Sequence, residues 1–104
     1  MITAVVQFRL PEGTSRDDVF KAFKASTPNY QGMPGLIRKY YLYADEGIAG
    51  GAYLWESREA AEAVYTPEWR RMVAERYGSE PVIAYFDTPV VVDNLSGDVI
   101  AEAD

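Results

Sequence analysis

The chain has 104 residues, enough for one domain, and 48% of them are hydrophobic, enough for a small core. A formal net charge of −6 argues against nucleic acid and anionic membrane surfaces, both of which select basic proteins. There is no Cys and no His; this excludes disulfides, thiolate nucleophiles, zinc–thiolate sites, the usual haem ligand and a Ser-His-Asp triad.

Residues 2–10 alternate, with Ile2, Ala4, Val6, Phe8 and Leu10 on one side, which predicts a strand with one apolar face. Pro11-Glu-Gly13 ends it. Thr14-Ser-Arg-Asp-Asp18 is a helix start, and Val19, Phe20, Ala22 and Phe23 carry a core-facing stripe to about Ser26. Thr27 to Gly35, with two prolines and two glycines, reads as a loop.

Two strands are expected at roughly 36–44 and 50–56, with a turn around Asp45-Glu-Gly47. Five aromatic rings (Tyr40, Tyr41, Tyr43, Tyr53, Trp55) lie on them, beside Arg38 and Lys39. A hairpin with one wet face alternates apolar and polar residues, and this one does not. Both of its faces are expected to be covered.

Ser57 caps a second helix rich in Ala, and Thr66-Pro67-Glu68 is a further start signal. Trp69, Met72, Val73, Arg76 and Tyr77 follow at helical spacing as an amphipathic stripe, of which Trp69, Met72 and Val73 read as packing residues, and Gly78 closes the helix. Pro81 to Asp87 is the next strand, interrupted by Thr88-Pro89, and Val90 to Val92 resume extended structure. The domain is expected over 1–94, with residues 95–104 an acidic C-terminal tail. The order is strand, helix, strand, strand, divided helix, strand. That is an α+β, ferredoxin-like βαββαβ antiparallel sheet with helices on one face. No apolar run approaches membrane-spanning length and the N-terminus lacks a signal-peptide pattern, so a cytoplasmic location is expected.

Met33-Pro-Gly-Leu-Ile-Arg-Lys39, Gly50-Gly-Ala-Tyr-Leu-Trp-Glu-Ser57 and Phe86-Asp-Thr-Pro-Val90 together resemble the dimeric α+β-barrel superfamily, in particular its YdhR-type mono-oxygenases. The resemblance covers roughly residues 3–94. It implies a homodimer whose sheets pack face to face, with a pocket in each subunit between sheet and helices. It also implies oxygenation of a small hydrophobic, aromatic or polyketide-like compound by molecular oxygen, without metal or flavin. Haem-degrading members need a His that this chain lacks. Isomerase or cyclase members, and a non-catalytic ligand-binding dimer, stay open as alternatives.

Such chemistry needs an anion-forming substrate, a cation or hydrogen-bond donor to stabilise charge, and a dry site. Lys39, mid-strand, is a candidate base or anion stabiliser, because burial lowers a lysine pKa. Its plainer role is a snorkelling side chain or an ion pair. Arg38, on the opposite face, suits an interface salt bridge, although the two residues could exchange faces. The resemblance places Trp55 beside the substrate; its plainer role is core packing. Gly51 would leave room for a flat ligand. Tyr53, Tyr41, Tyr65 and Tyr85 are candidate hydroxyl donors to substrate, each also a plausible structural ring. Asn29, next to Tyr30, sits where a pocket rim is expected. The acid pairs Asp17-Asp18 and Asp45-Glu46 read as a helix start and an exposed turn. No metal-ligand spacing, phosphate loop or nucleophile elbow is visible, so no cofactor is expected.

Overall fold

A computed structural model describes residues 1–102. The elements are β1 (Ile2–Arg9), α1 (Arg16–Tyr30), β2 (Leu36–Ala44), β3 (Ile48–Trp55), α2 (Arg58–Val64), α3 (Pro67–Tyr77), β4 (Val82–Asp87), β5 (Val90–Asp93) and β6 (Asp98–Ala101). The first four strands form an antiparallel sheet in the order β2-β3-β1-β4, and β5 and β6 form a separate two-stranded ribbon. This is the ferredoxin-like arrangement, with the helices on one face.

Strand register decides which side chains meet them. β1 pairs with β3 so that Ala4 lies opposite Tyr53, Val6 opposite Gly51 and Phe8 opposite Ala49. Those residues, with Trp55, Val19, Ala61, Tyr65 and Val73, build the core. Gly50 is required by the close approach of β1. A Cβ there would sit 1.8 Å from the Val6 carbonyl oxygen, a backbone atom that cannot turn aside. The other face of the sheet stays open, with Tyr40, Leu42, Val82 and Phe86 exposed.

The helix starts follow the capping signals. Ser15 and Asp18 form a reciprocal capping box, and the Ser57 and Thr66 hydroxyls accept from the amides of Ala60 and Trp69. Gly78 ends α3 in the left-handed conformation at φ 94°.

Three boundaries differ from the sequence reading. α1 does not stop near Ser26; it continues to Tyr30 with Pro28 in its last turn. Proline has no N–H to give the Lys24 carbonyl, and the Thr27 hydroxyl donates to that oxygen instead, at 2.9 Å. A turn that proline would otherwise break is thereby kept. The connector shrinks to residues 31–35. β3 begins at Ile48 rather than 50, directly after Gly47, whose φ of 80° turns the chain. Finally, residues 98–101 of the expected tail form β6, paired with β5. Asp93 sets that turn, its carboxylate accepting from the amides of Leu95 and Ser96. The ribbon is tied back by an Arg38–Asp93 ion pair of 2.5 Å and by the Glu102 carboxylate paired with the N-terminal ammonium of Met1, while the Glu102 amide extends the β5–β6 ladder to the Pro89 carbonyl. The last two residues of the expected tail lie outside the described residues.

Candidate functional site

β2 alternates, and a register shift between Leu36 and Arg38 sets its phase. Lys39 and Tyr41 thus face the helices, opposite Tyr53 and Gly51 of β3. Arg38 falls on the open face, where it binds Asp93 within its own chain.

Lys39 is the centre of the site. Its Nζ lies 3.4 Å from the ring centroid of Tyr30, 3.9 Å from that of Tyr41 and 4.6 Å from that of Tyr53. No carboxylate of the described residues lies within ion-pairing distance. The amine therefore sits in a box of three ring faces, largely withdrawn from solvent. Burial pulls its pKa down to about 7. The negative faces of the rings return part of what lost hydration takes from the ammonium.

Two walls are fixed by hydrogen bonds and the third by ring packing. The Ser26 hydroxyl has one proton, which goes to the Phe23 carbonyl at 2.8 Å, so Tyr41 donates to Ser26 at 2.7 Å. Trp69 donates its indole N–H to the Tyr30 hydroxyl at 3.1 Å. Tyr53 stacks on Trp55 and meets Tyr65 edge-on. Tyr30 belongs to the last turn of α1, which the Thr27 hydroxyl maintains.

Lys39 stands between two spaces. Inside lies a cavity of about 30 Å³, the room of a single water. Its walls include Phe8, Phe23, Ser26, Asn29, Tyr30, Lys39, Tyr41, Tyr53, Trp69, Met72, Arg76 and Tyr77. Outside, between the end of α1 and the edge of β2, runs an open groove of about 310 Å³ bordered by Tyr30, Gly32, Leu36, Ile37, Arg38, Lys39 and Tyr41.

Of the candidate residues, Lys39, Tyr41, Tyr53 and Asn29 meet at the cavity. Trp55, Tyr65, Tyr85 and Gly51 do not line it. Trp55 is fully buried behind Tyr53 and donates its indole N–H to Tyr65 at 3.1 Å. Tyr85 lies on β4 beneath the Arg58 guanidinium, 4.1 Å from its ring centroid. The space over Gly51 is already taken. A Cβ there would lie 2.9 Å from the Tyr53 ring and 3.4 Å from Lys39 Cε, so the missing side chain makes room for the lysine box. Trp69 and Met72, expected to pack, and Ser26, Arg76 and Tyr77, for which the sequence suggests no site role, also line the cavity. The available signal was Arg76, a charge on an otherwise apolar helical stripe.

Electrostatics separates the roles. Burial pushes the phenols of Tyr41, Tyr53, Tyr65, Tyr77 and Tyr85 upward, so they remain protonated donors at neutral pH. Only Lys39 is moved toward neutrality. Among the described residues no group of three or more Asp or Glu could hold a metal ion.

The sequence matches no family model and no curated protein. Solved structures do resemble it. An antibiotic biosynthesis mono-oxygenase superposes with a TM-score of 0.63 at 13% identity, over 85% of this chain and 98% of that one. A variant of SnoaB, a cofactor-independent oxygenase from Streptomyces nogalater, superposes with a TM-score of 0.60 at 15% identity, over 84% of this chain and 91% of that one. The chain thus shares its fold with these solved mono-oxygenase structures.

Proposed function

We propose that this protein is a cofactor-independent mono-oxygenase acting on a small hydrophobic, aromatic or polyketide-like compound. The observation that carries the reading is the Lys39 amine, caged by tyrosines beside a cavity of about 30 Å³, with its pKa at about 7. The similarity in fold to a cofactor-independent oxygenase supports it.

A general base works best when its pKa lies near the working pH. Neutral Lys39 takes a proton from an acidic C–H or phenolic O–H of the substrate. The ammonium so formed stays within the three ring faces. It lies next to the substrate anion and to the reduced oxygen species that forms as the anion passes electrons to O2. For a CH2 flanked by aromatic rings, one oxygen atom ends as the new carbonyl, and the other leaves as water with the two hydrogens. Tyr41 borders the substrate in the groove, and Tyr53 and Asn29, which line the inner cavity, border the oxygen. Trp55, Tyr65 and Tyr85 support Tyr53 from behind, and Gly51 clears the path of the lysine. A flat substrate enters along the outer groove, whose volume lies in the usual range for ligand sites. The inner cavity suits oxygen or water.

A homodimer completes the proposal. The open face presents Tyr40, Leu42, Val82 and Phe86, an apolar surface that a second copy would cover. Among the described residues no helix is long and apolar enough to cross a membrane, and a cytoplasmic location remains part of this reading.

The same amine favours a second reading, an isomerase or cyclase that removes a proton and returns it elsewhere. Anthrone-like and quinol-like compounds separate the two. Oxygen uptake in step with substrate loss is expected, and conversion that proceeds equally under argon would replace the oxygenase with the isomerase. Binding without conversion in either atmosphere would leave a ligand-binding protein.

A further inference from the structure

We propose that Lys39 is also a nucleophilic amine: it condenses with a small aldehyde or ketone arriving along the groove between α1 and β2, and the tyrosine box holds the resulting protonated imine.

The geometry supplies what this reaction needs. Lys39 borders the open groove on one side and the water-sized cavity on the other. A carbonyl compound can therefore approach from the groove while the expelled water has a place to go. No carboxylate of the described residues holds the amine in an ion pair. The rings of Tyr30, Tyr41 and Tyr53 surround Nζ at 3.4, 3.9 and 4.6 Å and turn their negative faces toward it. A protonated imine keeps its positive charge at that atom and keeps the stabilisation. A carbamate from carbon dioxide would place an anion against the same faces, so the box selects carbonyl compounds over carbon dioxide. In the step itself, the nitrogen lone pair forms the N–C bond, and the carbonyl oxygen takes one proton from that nitrogen and one from solvent as the C–O bond breaks. Water leaves, and the imine nitrogen retains one proton. No oxidant takes part. A depressed lysine pKa supports the chemistry by supplying free amine at neutral pH.

The chain has only three lysines, Lys21, Lys24 and Lys39, which makes the test direct. The full chain is treated under argon with benzaldehyde and sodium cyanoborohydride, which reduces an imine to a stable benzylamine, and the modified positions are mapped by peptide mass spectrometry. At pH 7 Lys39 is expected to be labelled about tenfold faster than Lys21 and Lys24 despite its burial. Its labelling should rise through pH 7, and the Lys39→Arg variant should lose that label alone. Labelling of Lys39 no faster than of Lys21 and Lys24, or confined to those two and the N-terminus, would overturn the proposal. Because oxygen is absent throughout, the label tests the nucleophile alone, and oxygen uptake with anthrone-like compounds remains the separate test of the oxygenase reading.

Discussion

Replacing Lys39 with methionine is expected to abolish turnover and, at the same time, to make the folded protein more stable at neutral pH. Methionine keeps the length and most of the volume of the side chain but carries no charge into the tyrosine box. Loss of a general base costs roughly 10²–10⁴-fold in rate, read as kcat under saturating oxygen. The gain in stability comes from relieving a buried, unpaired ammonium and should be about 2–4 kcal/mol after the lost ring contacts are counted. Its dependence on pH follows from the native pKa of about 7, below that of the unfolded chain. Below pH 7 the amine is protonated in both states and the burial cost is fully present. As pH rises from about 7 toward 10.5, the native chain has released a proton that the unfolded chain still binds, so wild-type stability climbs. The advantage of the variant should shrink over that interval and vanish above it. Urea titrations at pH 6, 8.5 and 10.5 measure this directly. A difference that does not vary with pH would mean that the native lysine titrates normally.

Trp55 is expected to show the opposite pattern, a large effect on stability and a small one on chemistry. It is fully buried, stacks on Tyr53 and donates to Tyr65. Truncation to alanine removes the largest fully buried side chain and should cost about 3–5 kcal/mol, a large share of the stability of a domain this size. Trp55→Phe keeps a ring under Tyr53 but leaves the Tyr65 hydroxyl without its donor, for a cost of about 1–3 kcal/mol. In folded Trp55→Phe protein, kcat and KM should stay close to wild type, because the indole does not reach the cavity. A collapse of kcat with stability preserved would place Trp55 at the reacting atoms.

These two residues show how far the sequence could be read. Strand alternation in β1 and the caps at Ser57, Thr66 and Gly78 depend on neighbours in sequence, and the fold follows from them. Lys39 could be singled out in the sequence as a charge among rings on a strand, beside its plainer reading as a snorkelling or ion-paired side chain. Its surroundings were not legible. Tyr30 reaches the amine only because α1 passes through Pro28, and that depends on one side-chain hydroxyl taking over a backbone hydrogen bond. The Gly51 gap was visible as a space, but what fills it depends on the register of β2 against β3. Arg76 and Met72 could not be placed, because helical spacing shows which face of α3 turns inward but not what stands opposite. β6 was hidden because its turn rests on the Asp93 carboxylate rather than on a strong hydrophobic pattern.

The account rests on the amine of Lys39 being free of its proton at neutral pH inside the tyrosine box. With three lysines in the chain, selective ¹³C labelling at lysine Cε and an NMR titration resolve it from Lys21 and Lys24. The Lys39 resonance is predicted to titrate with a midpoint close to 7, well apart from the other two. A midpoint at the ordinary lysine value of about 10.4 would contradict the account.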